Sequence, residues 1–212
     1  MSWAEKAADR SPAVRRTRSR SMQQASLILD AAHRLVLQKG DAFTTQELVK
    51  EAGVALQTFY RYFASKDQLL LAVFAEMIAA GCVRSVEDAR DLPDPIARLR
   101  HYVTSTLRSL DAEGDDKAMA RFIVSTHWRL QQNFPEEMAE AVRPFAALLL
   151  GEIRKGMAAG ELRPADPERA AWFINELVRS VYHHYAYAQQ PPATLPDDLW
   201  AFCLSALGGS PA

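Results

Sequence analysis

The sequence predicts an all-α protein: a three-helix helix-turn-helix unit at the N-terminal end, followed by a bundle of about six helices. Apolar residues recur at helical spacing between the turn signals, and no segment shows the alternation of apolar and polar residues that is typical of strands. Most of the breaks between segments fall at glycine or proline. With 49% apolar residues among 212, the chain can bury a sizeable core in one or two domains.

The best-defined stretch is TTQELVKEAGVALQTFYRYFASKDQL, residues 44–69. Thr44 can cap a helix, and Glu47 three residues later completes a capping box. Gly53 then follows, where a left-handed helix stop is unstrained only for glycine. A second short helix is expected to begin at about Ala55. Two short helices joined by a tight glycine turn form a helix-turn-helix, whose second helix fits the DNA major groove.

Several short runs in and before this stretch carry a family resemblance: Gly53-Val54-Ala55, Thr58-Phe59-Tyr60, Tyr62-Phe63, Ser65-Lys66-Asp67 with Leu69, and Ile28-Leu29-Asp30-Ala31-Ala32 with Leu35 and Gly40. Together they resemble the N-terminal signature of TetR-family transcriptional regulators, over roughly Ser26 to Val73. The resemblance implies a regulator, most often a repressor, that binds a palindromic double-stranded operator as a homodimer. It also implies release from DNA by a small effector.

The second helix of the motif carries the side chains that we expect to read DNA bases, Leu56, Gln57 and Thr58. Gln can bond adenine at two positions, and Leu or Thr can pack on a thymine methyl group. The family often has smaller residues at the first two of these positions, so the resemblance does not supply the operator sequence. The expected DNA contacts outside the bases are Tyr60, Arg61, Tyr62, Lys66, Thr44 and Thr45. For Tyr62, partial core packing is the alternative.

The charge is distributed unevenly along the chain. Residues 1–66 contain eleven Lys and Arg against six Asp and Glu, which gives +5, and the remaining fourteen against twenty give −6. A basic first part suggests a polyanionic partner, although chance is the alternative. Residues 1–23 are predicted to be a flexible basic arm, which either contacts DNA or is a solvated tail. Residues 24–70 form the predicted DNA-binding domain, and 71–212 the predicted ligand-binding and dimerisation domain.

Six further helices are expected after the motif. The fourth should run from after Ser65 to about Val86. The others are expected around residues 96–110, 119–130, 135–160 with Pro144 inside, 166–187, and from Leu195 or Pro196 onward.

The eighth expected helix has a wide apolar stripe, and the ninth adds further apolar residues. The stripe comprises Phe173, Ile174, Leu177, Val178 and Val181, and the ninth helix supplies Leu199, Phe202, Cys203 and Leu207. The family resemblance implies that these two helices form a four-helix bundle with a second copy. The alternative is that the stripes only close the core of the monomer.

Another face of the eighth helix carries Trp172, Asn175, Arg179 and Tyr182, whose spacing aligns them on one side. We expect this face to line an effector pocket, because aromatic surface with a few polar groups is typical of small-molecule sites. The pocket residues expected opposite it are Met77, Tyr102, Thr106, Phe122, Thr126, Phe145 and Leu149. The effector would be mainly apolar, with an anionic or carbonyl group near Arg179.

Two alternatives to an effector pocket remain open at this point. Arg179 could pair with Glu152 or Glu176 while the aromatic side chains fill a dry core. The C-terminal domain could instead bind a protein partner, for which the aromatic residues would serve as well as for a pocket.

The sequence carries no motif of catalysis or metal binding. The five histidines form no HExxH spacing, and no GxSxG, Walker or GxGxxG pattern occurs. We therefore expect no enzyme activity, cofactor or metal. Two distant cysteines, an N-terminus without an apolar core, and no apolar run of about 20 residues predict a cytoplasmic protein that does not enter membranes.

Overall fold

The computed structural model describes residues 12–111, 114–187 and 192–209, with side chains from residue 19 onward except that of residue 111. Every regular element in these ranges is a helix, which confirms the predicted all-α class. The helices are α1 (Pro12–Lys39), α2 (Thr45–Ala52), α3 (Leu56–Tyr62), α4 (Lys66–Asp88), α5 (Pro95–Arg108), α6 (Asp115–Asn133), α7 (Pro135–Ala158), α8 (Pro167–Tyr185) and α9 (Leu195–Ala206), with a short 3₁₀ turn at Ser109–Asp111. The chain divides after Val73 into a smaller and a larger compact unit.

In the smaller unit, α2 has the predicted capping box at its N-terminal end and the predicted glycine stop at its C-terminal end. The Thr44 hydroxyl accepts a hydrogen bond from the backbone N–H of Glu47 at 3.1 Å, and the Glu47 carboxylate accepts one from the backbone N–H of Thr44 at 2.7 Å. Gly53 ends the helix with a φ of +66°, in the left-handed region. Glu47 also accepts a hydrogen bond from Lys39 of α1 at 2.6 Å, and this bond is the main reason why its pKa is lowered to about 2.

Helix α1 begins at Pro12 rather than near Gln24, so residues 12–23 are helical and not the arm that the sequence was expected to form. Proline suits the first helical position, where its missing N–H is not needed. Residues 13–23 contain neither glycine nor another proline, and are rich in good helix formers such as Ala, Arg, Met and Gln. Residues 1–11 of the expected arm lie outside the described residues.

The buried side of α1 follows a regular helical stripe. The residues on it are Ile28, Ala31, Ala32, Leu35 and Val36. Leu27, directly before the first residue of this stripe, is exposed. The other large buried side chains of this unit that precede α4 are Phe43, Leu48, Phe59 and Phe63.

In the larger unit, α5 packs against α7, α8 and α9. A buried carboxylate lies at the contact between α5 and α7. Glu152 accepts hydrogen bonds from Arg98 at 2.9 Å and from Lys155 at 2.6 Å, and Arg98 also donates to the carbonyl of Leu92 at 2.9 Å. Because a buried charge without a partner is strongly destabilising, this ion pair favours one alignment of α5 on α7.

Among the described helices, α4 alone is long and apolar enough to cross a bilayer by length and composition, with a mean hydropathy of 1.9. This differs from the expectation that no apolar run reaches that length. Its apolar residues Leu69, Leu70, Val73 and Phe74 are buried in the protein interior, and core helices of globular proteins commonly meet the same criterion. Composition alone therefore does not distinguish a core helix from a membrane span.

The capping box is a test of how the smaller unit is stabilised. We expect Thr44→Ala to lower its free energy of unfolding by about 1 kcal/mol, because the first turn of α2 loses a hydrogen-bond acceptor for its backbone. Urea unfolding followed by circular dichroism measures the change. Thr45→Ala, at the first helical position and without a capping role, is the matched control. Equal stabilities of the Thr44→Ala and Thr45→Ala proteins would contradict the assignment.

Candidate functional site

Helix α3 presents an exposed face that is suited to DNA. Phe59 is buried and anchors the helix, while Leu56, Gln57 and Tyr60 are exposed, Tyr60 by 53% of its surface. Thr58 is half-buried. Of the expected base-reading residues, Leu56 and Gln57 are thus the more accessible.

Two of the expected phosphate contacts are engaged inside the smaller unit. Tyr62 is half-buried; its hydroxyl donates to Gln24 of α1 at 3.1 Å and lies 3.0 Å from the hydroxyl of Ser21. Lys66 donates to the carbonyl of Asp41, and its ammonium lies 4.6 Å from the centroid of the Phe43 ring.

The other polar candidates differ in what holds them. Arg61 is exposed and donates to Gln24 at 2.8 Å. The hydroxyl of Thr44 serves as the helix cap, and Thr45 is half-buried. Several of these side chains therefore help to position α3 and its flanking turns.

The larger unit contains a cavity of about 350 Å³, lined from α4 to α8. Six of the eleven residues expected in an effector pocket line it: Met77, Thr106, Phe145, Asn175, Arg179 and Tyr182. Most of its wall is apolar, contributed by Phe74, Ile78, Met119, Ile123, Val142 and Val178 together with residues already named. A concave, mainly apolar site of this size is typical of small-molecule binding.

Five expected pocket residues are not in the cavity wall. Tyr102, Phe122, Thr126 and Leu149 are buried in the protein interior instead, and the Thr126 hydroxyl donates to the carbonyl of Phe122 at 2.7 Å. Trp172, near the start of α8, is 55% exposed. Helical periodicity identifies the inward side of a helix, but it does not tell which part of that side meets a cavity and which part meets a neighbouring helix.

Several cavity residues were not predicted from the sequence. Each lies one residue after a residue that was expected to line the pocket. On α6 the wall includes Ile123 and His127, each one residue after the expected Phe122 and Thr126. On α8, His183 follows the expected Tyr182 directly. A shift of one residue turns a helix face by about 100°, so a small register error exchanges cavity residues for core residues.

A charged group lies in this cavity with incomplete pairing. Nη1 of Arg179 lies 2.7 Å from Nε2 of the His127 ring, and Nη2 donates a hydrogen bond to the Glu176 carboxylate. Its Nε is buried and has no hydrogen-bond partner among the described residues. From the sequence, pairing of Arg179 with Glu176 was an alternative to a pocket. In the structure this pairing is present, and Arg179 also lines the cavity.

Burial, with smaller contributions from the neighbouring His183 and Arg179, lowers the pKa of His127 to about 4. Burial and Arg179 also lower the pKa of His183. Both rings are therefore neutral near pH 7 and can accept hydrogen bonds from a cation. Burial raises the pKa of Tyr182 to about 12, so its hydroxyl stays protonated. In the described part of the chain, no group of three His, Cys, Asp or Glu residues could hold a metal ion.

The residues expected at a dimer interface fall into two groups. Phe173 and Phe202 are 58% and 64% exposed, and Leu177 and Val181 are half-buried. Ile174, Val178, Leu199, Cys203 and Leu207 are buried within the larger unit itself. A groove of about 330 Å³, lined among others by Phe173, Leu177 and Phe202, lies on this surface. The expected stripes thus serve partly to close the core of the monomer and partly remain exposed.

An exposed second helix after a glycine turn defines a DNA-binding protein of the helix-turn-helix class. Residues 28–73 match the family model "Bacterial regulatory proteins, tetR family". An uncharacterised helix-turn-helix transcriptional regulator of Mycobacterium tuberculosis is 33% identical over 159 residues, which cover 72% of each chain. The chain therefore belongs to the TetR family of transcriptional regulators, as the sequence motif indicated.

Two more comparisons extend this result to the fold. The fatty acid metabolism regulator protein of Bacillus subtilis is 24% identical over 140 residues, covering 64% of this chain and 69% of that protein. The crystal structure of FadR from Bacillus subtilis, in complex with stearoyl-CoA, superimposes with a TM-score of 0.65 at 20% identity, covering 85% of this chain and 98% of that one. Similarity at this level establishes the shared fold.

The buried histidines predict a pH-dependent stability. Unfolded His127 takes up a proton near pH 6.5, whereas in the folded protein its pKa is about 4, so acidification favours the unfolded chain. We expect the free energy of unfolding to fall from pH 7 to pH 5, by at most about 1.4 kcal/mol per pH unit for this residue. His183 acts in the same direction.

Urea unfolding at several pH values measures this effect, and His127→Gln should flatten the curve. The exposed His184, changed to Gln, is the matched control that should retain the wild-type slope. An unchanged slope in His127→Gln would contradict the neutral, buried state of this ring.

Proposed function

We propose that this protein is a cytoplasmic transcriptional repressor that binds a palindromic operator as a homodimer and is released by a small, mainly apolar effector. The main supporting observation is the continuity of α4. This helix begins at Lys66 in the smaller unit, and its residues from Phe74 onward, including Met77 and Cys82, line the cavity in the larger unit. A single helix thus belongs to the DNA-binding unit at one end and to the cavity wall at the other.

This continuity supplies a route for regulation. A ligand that binds better to one position of α4 than to another shifts the population toward that position. The same shift changes the spacing of the two α3 helices of a dimer, so that effector binding and operator binding oppose each other by an equal coupling free energy. The protein needs no chemistry of its own for this role, in keeping with relatives that are transcriptional regulators.

An apolar effector is supported by the composition of the cavity wall and by two comparisons. One relative is a fatty acid metabolism regulator, and one neighbour of similar fold binds stearoyl-CoA. The protein-partner alternative receives no comparable support, since a concave, mainly apolar cavity is typical of small-molecule sites.

A homodimer follows from the size of the reading element. The seven residues of α3 cover too few base pairs for useful specificity, whereas a two-fold dimer reads two half-sites. The exposed Phe173 and Phe202 on α8 and α9 offer the apolar surface that a second copy would cover.

For DNA recognition, we expect Gln57→Ala to relax the preference at one base pair in each half-site by roughly 1–3 kcal/mol, because Gln57 loses its contacts with a base edge. Tyr60→Ala should instead weaken binding to all sequences similarly, since it contacts phosphate. Binding to a library of operator variants at fixed salt measures both effects. Gln38→Ala, an exposed glutamine of α1, is the control. An unchanged specificity profile for Gln57→Ala would contradict base readout by this residue.

For assembly, we expect Phe202→Asp to convert the dimer into monomers at micromolar concentration, because the exposed ring would be replaced by a charge within an apolar interface. Light scattering measures the mass. Trp128 on α6 is equally exposed, at 66%, and Trp128→Asp is the matched control that should stay dimeric. A wild-type monomer, or a dimeric Phe202→Asp protein, would contradict the proposed interface.

A further inference from the structure

The first half of α1 contributes little to the core of the smaller unit. The side chains of residues 19–27 are all exposed or half-buried, and the buried stripe of α1 begins only at Ile28. Helices in proteins gain most of their stability by packing an apolar face. Packing within the smaller unit therefore does not explain why α1 begins as early as Pro12, and the surface of its first half is available to a partner.

Hydrogen bonds fasten this half of α1 to the C-terminal end of α3. The hydroxyls of Ser21 and Tyr62 lie 3.0 Å apart. Gln24 accepts hydrogen bonds from Tyr62 at 3.1 Å and from Arg61 at 2.8 Å. Because these bonds join two helices of the same unit, they fix the start of α1 beside the helix that is expected to read DNA.

The segment that is held there is strongly basic. Residues 12–29 contain no Asp or Glu and four arginines, Arg15, Arg16, Arg18 and Arg20. Arg20 is exposed, and the exposed Arg61 of α3 continues the positive charge on the neighbouring helix. A run of like charges repels itself in the free protein, and on a DNA-binding unit it is typical of a surface that meets phosphates.

The length of the segment suits several phosphates. Residues 12–20 extend α1 beyond Ser21 by about 14 Å, at 1.5 Å for each residue. Duplex DNA carries one phosphate charge for about every 1.7 Å of its axis. A guanidinium can donate two parallel hydrogen bonds to one phosphate, so arginine suits such contacts well.

We propose that residues 12–20 are a helical extension of the DNA-binding surface, whose arginines bind backbone phosphates beside the C-terminal end of α3. This contact holds the duplex without reading its sequence, because phosphates are the same at every base pair. It goes beyond the proposed function, in which α3 and its flanking residues make the DNA contacts.

The experiment measures binding of the full-length protein to a mixed-sequence duplex of about 40 base pairs, by fluorescence anisotropy between about 50 and 200 mM salt. In the test variant, Arg15, Arg16, Arg18 and Arg20 are all changed to Gln, which is also a good helix former. The slope of log K against log salt should become shallower by about 0.9 for each phosphate contact that is lost. Affinity at about 100 mM salt should fall at least tenfold.

The matched control removes the same number of charges from the larger unit. Its four exposed cations, Lys117, Arg121, Arg143 and Arg154, are changed to Gln together. This variant should keep the wild-type slope, because its net charge changes equally but its DNA-binding unit does not. An unchanged slope in the test variant would overturn the proposal, and so would an equal change in the control.

A second variant tests the helical form of the segment. Thr17→Pro interrupts α1 within the segment and keeps every arginine, whereas Thr17→Ala preserves the helix. Thr17→Pro should make the salt slope shallower by about 0.9 for each contact of Arg15 and Arg16, because the helix no longer positions them. Thr17→Ala should bind as the wild type does. Wild-type binding by Thr17→Pro would show a flexible tail and overturn the helical contact.

Selection from a randomised duplex library separates this inference from the proposed function. The wild type and the variant without the four arginines should select the same palindrome, since phosphate contacts carry no sequence information. A different palindrome for the variant would overturn a contact made with phosphates alone. If the wild type selects no palindrome while the salt slopes differ as expected, the proposed operator binding is wrong and the contact of α1 stands.

Discussion

The larger unit is organised by the requirement that a buried charge must have partners. Glu152 of α7 is buried and draws Arg98 from α5, which aligns these two helices. Arg179 of α8 reaches His127 of α6 in the same way. Apolar packing is not directional, whereas these bonds have defined partners and geometry. Arg179 also donates to Glu176, so each of these two arginines has a carboxylate partner.

The smaller unit satisfies its polar groups in another way, through local contacts at the ends of its helices. Thr44 and Glu47 complete the first turn of α2, and Lys66 of α4 bonds to the carbonyl of Asp41. Tyr62, at the end of α3, bonds to α1. These contacts hold α3 by residues at its C-terminal end, and they leave Leu56 and Gln57 exposed near its start. The residues that position the helix thus differ from those proposed to read bases, so that in this proposal the readout residues can change without loss of the fold.

The cavity has a mainly apolar wall, so that in the proposed mechanism the burial of apolar ligand surface would supply affinity. The wall includes α4, the helix that begins in the DNA-binding unit. In the proposed mechanism, occupation of the cavity therefore acts on the same element that carries the reading head.

The sequence by itself determined the helices and the turn that defines the family, because capping boxes, glycine stops and helical periodicity depend on residues within a few positions of each other. It also predicted that Arg179 faces a pocket, and Arg179 lines the cavity of the larger unit. It did not determine that residues 12–23 are helical, or that Ile123 and His127, rather than Phe122 and Thr126, line the cavity. Only the tertiary structure decided these points, since the choice between cavity and core depends on how distant helices are rotated against each other. Periodicity within one helix carries no information about that rotation.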